Sequence, residues 1–131
     1  MTNVTDTTTT KLLPLFEQLA EMEPDRCRVD KYDETRSQFD IVIKLGESWF
    51  TVWATGINGI ASSGLAIVQS VLQKAIAAHG WLYKIENCTS DLNYAQVLIS
   101  TGVHFIGEAV EPAIALLTAY IAALRAERAA A

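Results

Sequence analysis

Cysteine is scarce in this 131-residue chain, which holds only Cys27 and Cys88. They lie far apart and in no spacing that a metal site uses, so a thiolate-bound metal and a densely disulfide-stapled fold are both excluded. The reading is two reduced thiols in a cytoplasmic protein, with a single disulfide between them as the alternative. Positive charge is short as well: ten Lys and Arg stand against fifteen Asp and Glu, for a net charge of −5. The ten are scattered rather than clustered, so no nucleic acid is expected as partner. No apolar run reaches the roughly 20 residues that a bilayer crossing requires, so no membrane is expected either. The opening M-T-N-V-T-D-T-T-T-T has neither a basic nor an apolar region and does not read as a signal peptide. A phosphate loop is missing too. Gly56-x-x-Gly59 precedes a helix but lacks the third glycine and the following Lys. All it leaves is a helix start where backbone N–H groups could hold an anion. No cofactor and no metal is expected.

What the chain does have is apolar content. Half of its residues are hydrophobic, enough for a core without staples. Residues 1–9 are polar and read as a frayed tail, and 10–131 as one domain. Thr10 is a plausible N-cap for a helix over 11–22, with Leu12, Leu15, Phe16, Leu19 and Met22 as its stripe. Strands are predicted over 26–32, 38–44 and 48–54. The first is charged enough for a sheet edge. Gly46-Glu47 suits a two-residue hairpin turn. The third strand is apolar on both faces (Trp49, Thr51 and Trp53 against Phe50, Val52 and Ala54), which predicts a central strand covered on both sides. A flexible Gly56–Gly59 connector leads to a helix over 63–79, facing inward with Leu65, Val68, Val71, Leu72, Ala75 and Ile76. His79-Gly80 is a good helix ending. Strands over 81–86 and 93–100 follow, then a short extended piece over 103–107.

The closing helix begins at Pro112, a favourable first-turn residue. Ile114, Leu117, Ile121 and Leu124 form an apolar stripe, and Ala115, Ala119, Ala122 and Ala126 form a small, uncharged opposite side. No charged residue lies between Pro112 and Leu124. Such a helix needs cover on both flanks, from its own domain or from a second copy. The order α-β-β-β-α-β-β-α therefore predicts an α+β fold, a three-layer α/β/α sandwich around a mainly antiparallel five-stranded sheet.

The helix–hairpin–helix order, the Gly80-Trp81 junction and the closing E-P-A-I-A-L-L-T-A-Y-I-A-A-L resemble the phage ABA sandwich domain family, from about residue 11 onward. The resemblance implies a three-layer fold and a phage or prophage origin. It brings no catalytic residues.

Several residues invite a chemical role, each with a plainer alternative. His104 precedes Glu108 and Glu111, an arrangement that could serve acid–base chemistry, and Cys88 could be a nucleophile if the fold brought it to His104. His79 reads better as a helix-end cap than as a ligand. Trp49, Trp53, Trp81, Tyr83 and Tyr94 are core aromatics or, alternatively, a stacking pocket for a nucleotide, with Lys84 or Arg28 to meet its phosphate. The charge-rich stretch from Glu21 to Asp40, with Arg26 and Arg28 on an edge strand, is a solvated surface or a docking surface.

Three readings of function follow. The first is a non-enzymatic binding protein, a homodimer whose contact surface takes in Leu116, Ala119, Tyr120 and Ala123 of the closing helix together with Arg26 and Arg28. If phage-encoded, it would act on a host protein such as a defence component. The second is a nucleotide-binding or sequestering protein using Trp49, Trp53, Trp81, Tyr94, Lys84 and His104. The third is a small enzyme using His104 with Glu108 or Cys88.

Overall fold

The computed structural model describes residues 7–31, 38–55, 59–89 and 91–130. The chain is α+β, and its strands fall into two antiparallel sheets of four and three. It divides into two compact units, Met1–Leu65 and Ala66–Ala131.

The first unit opens with α1 (Thr7–Met22). This helix starts three residues before the expected cap at Thr10 and carries Pro14 in its interior. Proline there forfeits one backbone bond, and its ring sits on the exposed side while Leu12, Leu13, Phe16 and Leu19 are buried. The expected frayed tail lies mostly outside the described residues. After Pro24 the N–H groups of Arg26 and Cys27 both bond the Glu23 carbonyl. That turn delivers the chain into β1 (Cys27–Lys31), against which α1 packs.

The sheet continues as β2 (Gln38–Leu45), β3 (Ser48–Thr55) and the two-residue β4 (Gly59–Ile60), in the order β1-β2-β3-β4. The edge position expected of β1 is the observed one. Gly46, at φ +66, occupies the first central position of a two-residue loop between the paired Leu45 and Ser48. That conformation costs an L side chain and favours glycine. The expected turn over 33–37 and most of the Gly56–Gly59 connector lie outside the described residues. The inner face carries Cys27, Phe39, Ile41, Ile43, Val52, Ala54 and Ile60, all buried, and Phe50, which pairs with Ile43 and is 38% exposed.

The expectation that β3 is covered on both faces is corrected. The strand is central, but Trp49 is 40% and Trp53 55% exposed. A strand with apolar residues on both faces has the same sequence pattern as one that holds tryptophans on an open face, because an indole tolerates water at its polar edge. Gly64 ends this unit's close packing. A Cβ there would lie 2.6 Å from Val52 Cγ1 and 2.9 Å from Ile60 Cγ2.

The unit boundary falls within α2 (Ser62–Ala78). The helix closes as expected from Gly80. The Gly80 N–H bonds the Ala77 carbonyl at 2.9 Å, the Trp81 N–H bonds the Ile76 carbonyl at 3.1 Å, and Gly80 has φ +76. This paired pattern satisfies carbonyls that a helix end otherwise leaves open.

The second unit's sheet is a meander of β5 (Leu82–Thr89), β6 (Leu92–Leu98) and β7 (His104–Ala109). The short extended piece expected at 103–107 is a full strand paired with β6 along its length. The single five-stranded sheet is thereby replaced by sheets of four and three strands. Every strand pairs with its chain neighbour, so strand patterns alone carry nothing that would join or separate the two sets.

α3 (Pro112–Ala130) lies on β6 and β7. The contact is set by Gly107. A Cβ at that position would lie 2.1 Å from the Ala115 carbonyl oxygen and 2.8 Å from the Ala119 nitrogen. The helix backbone therefore touches the sheet backbone, with the small residues Ala115, Thr118 and Ala119 beside it. Ala115, Ala119, Ile114, Leu117, Ile121 and Leu124 are buried and Ala122 and Ala126 half-buried, so one chain covers the apolar stripe and the first half of the alanine side. Leu116, Ala119, Tyr120 and Ala123 are each 0% exposed. The contact surface assigned to them for a second copy is corrected: a single copy already hides them.

Replacing Gly107 by Ala is expected to cost about 3 kcal/mol or more by overpacking, because the obstructing atoms are backbone. Gly80→Ala, with nothing within 4 Å of the new methyl, is expected to cost only about 1–2 kcal/mol from its left-handed conformation. Chemical denaturation of the two variants measures the difference.

Candidate binding surface

Strand alternation sends every second residue of the four-stranded sheet outward. The register places Lys44 beside Trp49, Arg28 beside Val42 beside Thr51, and Asp30 beside Asp40 beside Trp53, in three successive rows across the sheet. Trp49 and Trp53 thus stand on one open face with Thr51 between them, about 7 Å from each along the strand. The Arg28 guanidinium lies 4.7 Å from the centre of the Trp49 ring, a cation–π contact. The face is bipolar. Its Trp49 end carries Lys44 and Arg28, and its Trp53 end carries the cross-strand neighbours Asp30 and Asp40. Arg26 stays outside this arrangement, because its Nε donates to Glu23 Oε1 at 3.0 Å.

The other aromatic candidates have separate settings. Trp81 is 4% exposed. It stacks on the His79 ring with centroids 4.1 Å apart and planes 13° from parallel. The Tyr120 hydroxyl shares a hydrogen bond of 3.2 Å with His79 Nε2, and Glu127 Oε1 stands 4.0 Å from Nδ1. The helix-end role expected of His79 is thus accompanied by a tie to α3. Trp81 and Tyr120 belong to that tie, and neither is offered to a ligand or a partner. Tyr94 lies on the outer face of the three-stranded sheet, where its hydroxyl donates to Gln96 Oε1 at 3.3 Å. Lys84 on the same face pairs with Glu86 at 3.2 Å. Tyr83, on the opposite face of that sheet from Lys84, is 41% exposed. Trp81, buried in a helix-end cluster, and Tyr94, on an open sheet face, do not form one pocket.

The geometry also separates the catalytic candidates. His104 opens β7 and Glu108 follows four residues later on the same face, about 13 Å away along an extended strand. Cys88 lies in the irregular stretch where β5 meets the start of β6, whereas His104 pairs with Leu98 at the far end of β6. Some six residues of strand, roughly 20 Å, intervene. Neither pair can share a proton in this fold. Among the described residues no cluster of three or more His, Cys, Asp or Glu is arranged to hold a metal ion. Among the same residues no helix is long and apolar enough to cross a membrane.

Two arrangements carried no sequence signal strong enough to place them. Asn93 is the buried polar side chain of the core, 8% exposed. It accepts a bond from Asn87 and donates at 2.7 Å to the Val110 carbonyl just before α3. The hint was an asparagine inside a strand, where it is disfavoured unless bonded. The alternation of Asp40, Val42 and Lys44 with Trp49, Thr51 and Trp53 was legible strand by strand. The pairing that makes them one face was not. No family model matches the chain, and no curated protein matches it as a relative.

Both cysteines are free thiols. Burial, with a smaller contribution from the Glu23 carboxylate, pushes the Cys27 thiol up to about 12 from its ordinary 9.0. Above the ordinary value the unfolded chain loses this proton while the folded chain keeps it, so stability falls as pH rises between about 9 and about 12. The fall attributable to Cys27 is at most about 1.4 kcal/mol per pH unit. Denaturation from pH 8 to pH 11 is expected to show it in the native chain and to show a shallower slope in Cys27→Ala.

Proposed function

We propose that the chain is a non-enzymatic binding protein that acts by protein–protein contact through the outer face of its four-stranded sheet. The observation that carries this reading is the pair of half-exposed tryptophans, Trp49 and Trp53, on one flat face with Arg28 held over Trp49. Tryptophan and arginine dominate the energetics of protein interfaces far beyond their number, and a rigid sheet holds them without further ordering cost. The mixed charge favours a protein over a polyanion. Asp30 and Asp40 would stand against a phosphate backbone at the end where Trp53 could stack on a base. Within the second unit Trp81 is buried in the helix-end cluster while Tyr94 and Lys84 lie on a sheet face, so these residues do not make a nucleotide pocket together.

The family resemblance extends the proposal. A phage or prophage origin with a layered α/β/α body, and a cytoplasmic host protein such as a defence component as target, rest on the closing helix and the Gly80-Trp81 junction.

The test is a photo-crosslinking side chain placed at Thr51 in cells. It is expected to capture a discrete protein. The same group at Glu86, on the other sheet, is expected to capture none. Trp49→Ala/Trp53→Ala, with its thermal transition retained, should reduce the Thr51 product by about tenfold or more. No product at Thr51, or a product indifferent to both tryptophans, would overturn the reading.

A further inference from the structure

We infer that the occupant of the Trp49–Trp53 face in the free protein is a second copy of this chain, packed face to face about a two-fold axis that crosses the strands at Val42 and Thr51. The inference rests on the protein-contact reading and names the partner. Its basis is the order of charge along the face. Lys44 and Trp49 lie one row to one side of Val42 and Thr51, and Asp40 and Trp53 lie one row to the other.

A two-fold axis across the strands reverses the order of the rows while keeping each strand opposite itself. Lys44 of one copy then meets Asp40 of the other, and Trp49 meets Trp53, each twice. Val42 and Thr51 meet their own counterparts at the axis, where Thr51 is exposed and Val42 half-buried. An axis along the strands would instead set cations on cations at one end and carboxylates on carboxylates at the other, which like-charge repulsion disfavours. Arg28 shares the row of the axis, but its guanidinium lies over Trp49, towards the Lys44 end and away from its counterpart. Asp30, the cross-strand neighbour of Asp40, adds negative charge where the second copy brings its lysine. Two sheets meeting in this way pack at the ordinary inter-sheet distance with their strands nearly aligned.

The footprint limits the strength of this contact. Three strands by seven residues cover about 14 Å by 20 Å on each copy, below the standard size of specific interfaces and in the range of weak, transient contacts. The dimer is therefore weak and reversible, and a target protein that binds the same face would compete with it.

Sedimentation equilibrium of the full chain over a wide concentration range is expected to show a monomer–dimer equilibrium that added salt weakens. Asp40→Lys and Lys44→Asp are each expected to raise the dimer Kd by about tenfold or more, since each sets like charges together across the axis. The double exchange Asp40→Lys/Lys44→Asp restores the pairing and is expected to return Kd to within about threefold of the starting chain. Trp53→Ala, at an exposed position that leaves the core intact, serves as a second probe and should also raise Kd. A chain that stays monomeric throughout while Thr51 still crosslinks another protein overturns the dimer and leaves the contact reading standing. A dimer indifferent to Asp40, Lys44 and Trp53 overturns the assignment to this face. Single substitutions that weaken the dimer without rescue by the double exchange overturn the two-fold arrangement.

Discussion

The missing side chain at Gly107 sets how closely α3 can approach the three-stranded sheet. With the Ala115 carbonyl and the Ala119 amide already at the position a Cβ would take, the helix rests backbone on backbone. The rest of the unit follows from that distance. Ala95 stands opposite Gly107 on β6, so the sheet offers a smooth patch. The larger residues Leu116, Leu117 and Tyr120 fill space away from the contact and are fully buried. Asn93 fixes where the chain leaves β7 for the helix by bonding the Val110 carbonyl. Tyr120 fixes the far part by reaching His79 at the end of α2. Close approach is demanding in this sense: it brings strong dispersion contact over a long helix, but it tolerates no added atom where the backbones meet.

The four-stranded sheet divides its two faces differently. On the inner face Phe39, Ile41, Ile43, Val52 and Ala54 have almost no accessible surface, whereas Phe50 is partly open. The outer face alternates tryptophan, threonine and charged residues. Burying only one face is ordinary for antiparallel sheets. Less ordinary is the placement of two tryptophans on the open side, where a soluble protein usually keeps apolar area small and scattered. The functional reading rests on that departure.

Much of this architecture is written locally and was legible for that reason. Gly46 between two β-rich runs, the charged β1, and the His79-Gly80 helix end each depend on the preferences of a few adjacent residues, and each stands where the sequence places it. The closing helix was legible as one needing cover on both flanks. Which body covers it was not, because Ala115 and Ala119 look the same whether a sheet or another molecule presses on them. The partition into two sheets was hidden because hydrogen-bond pairing between strands leaves no trace in the alternation of any one of them. The open face was hidden by the same ambiguity, since Trp49 and Trp53 read as core until the register sets Asp40 and Lys44 beside them. The start of α1 before Thr10 shows a third limit. Pro14 costs one backbone bond wherever the helix begins, and burial of Leu12, Leu13, Phe16 and Leu19 offsets that cost without marking the first turn.

Both sheets pair each strand only with its immediate predecessor or successor in the chain. On a ribosome, this allows each meander to zip as its next strand emerges, without waiting for a distant segment to be translated. The inner face around Ala95 and Gly107 is the exception. It stays bare until α3, which follows β7, has been synthesised. For that interval the nascent chain leaves Ile85, Val97 and Phe105 uncovered around a patch of small residues shaped to receive the helix that comes next.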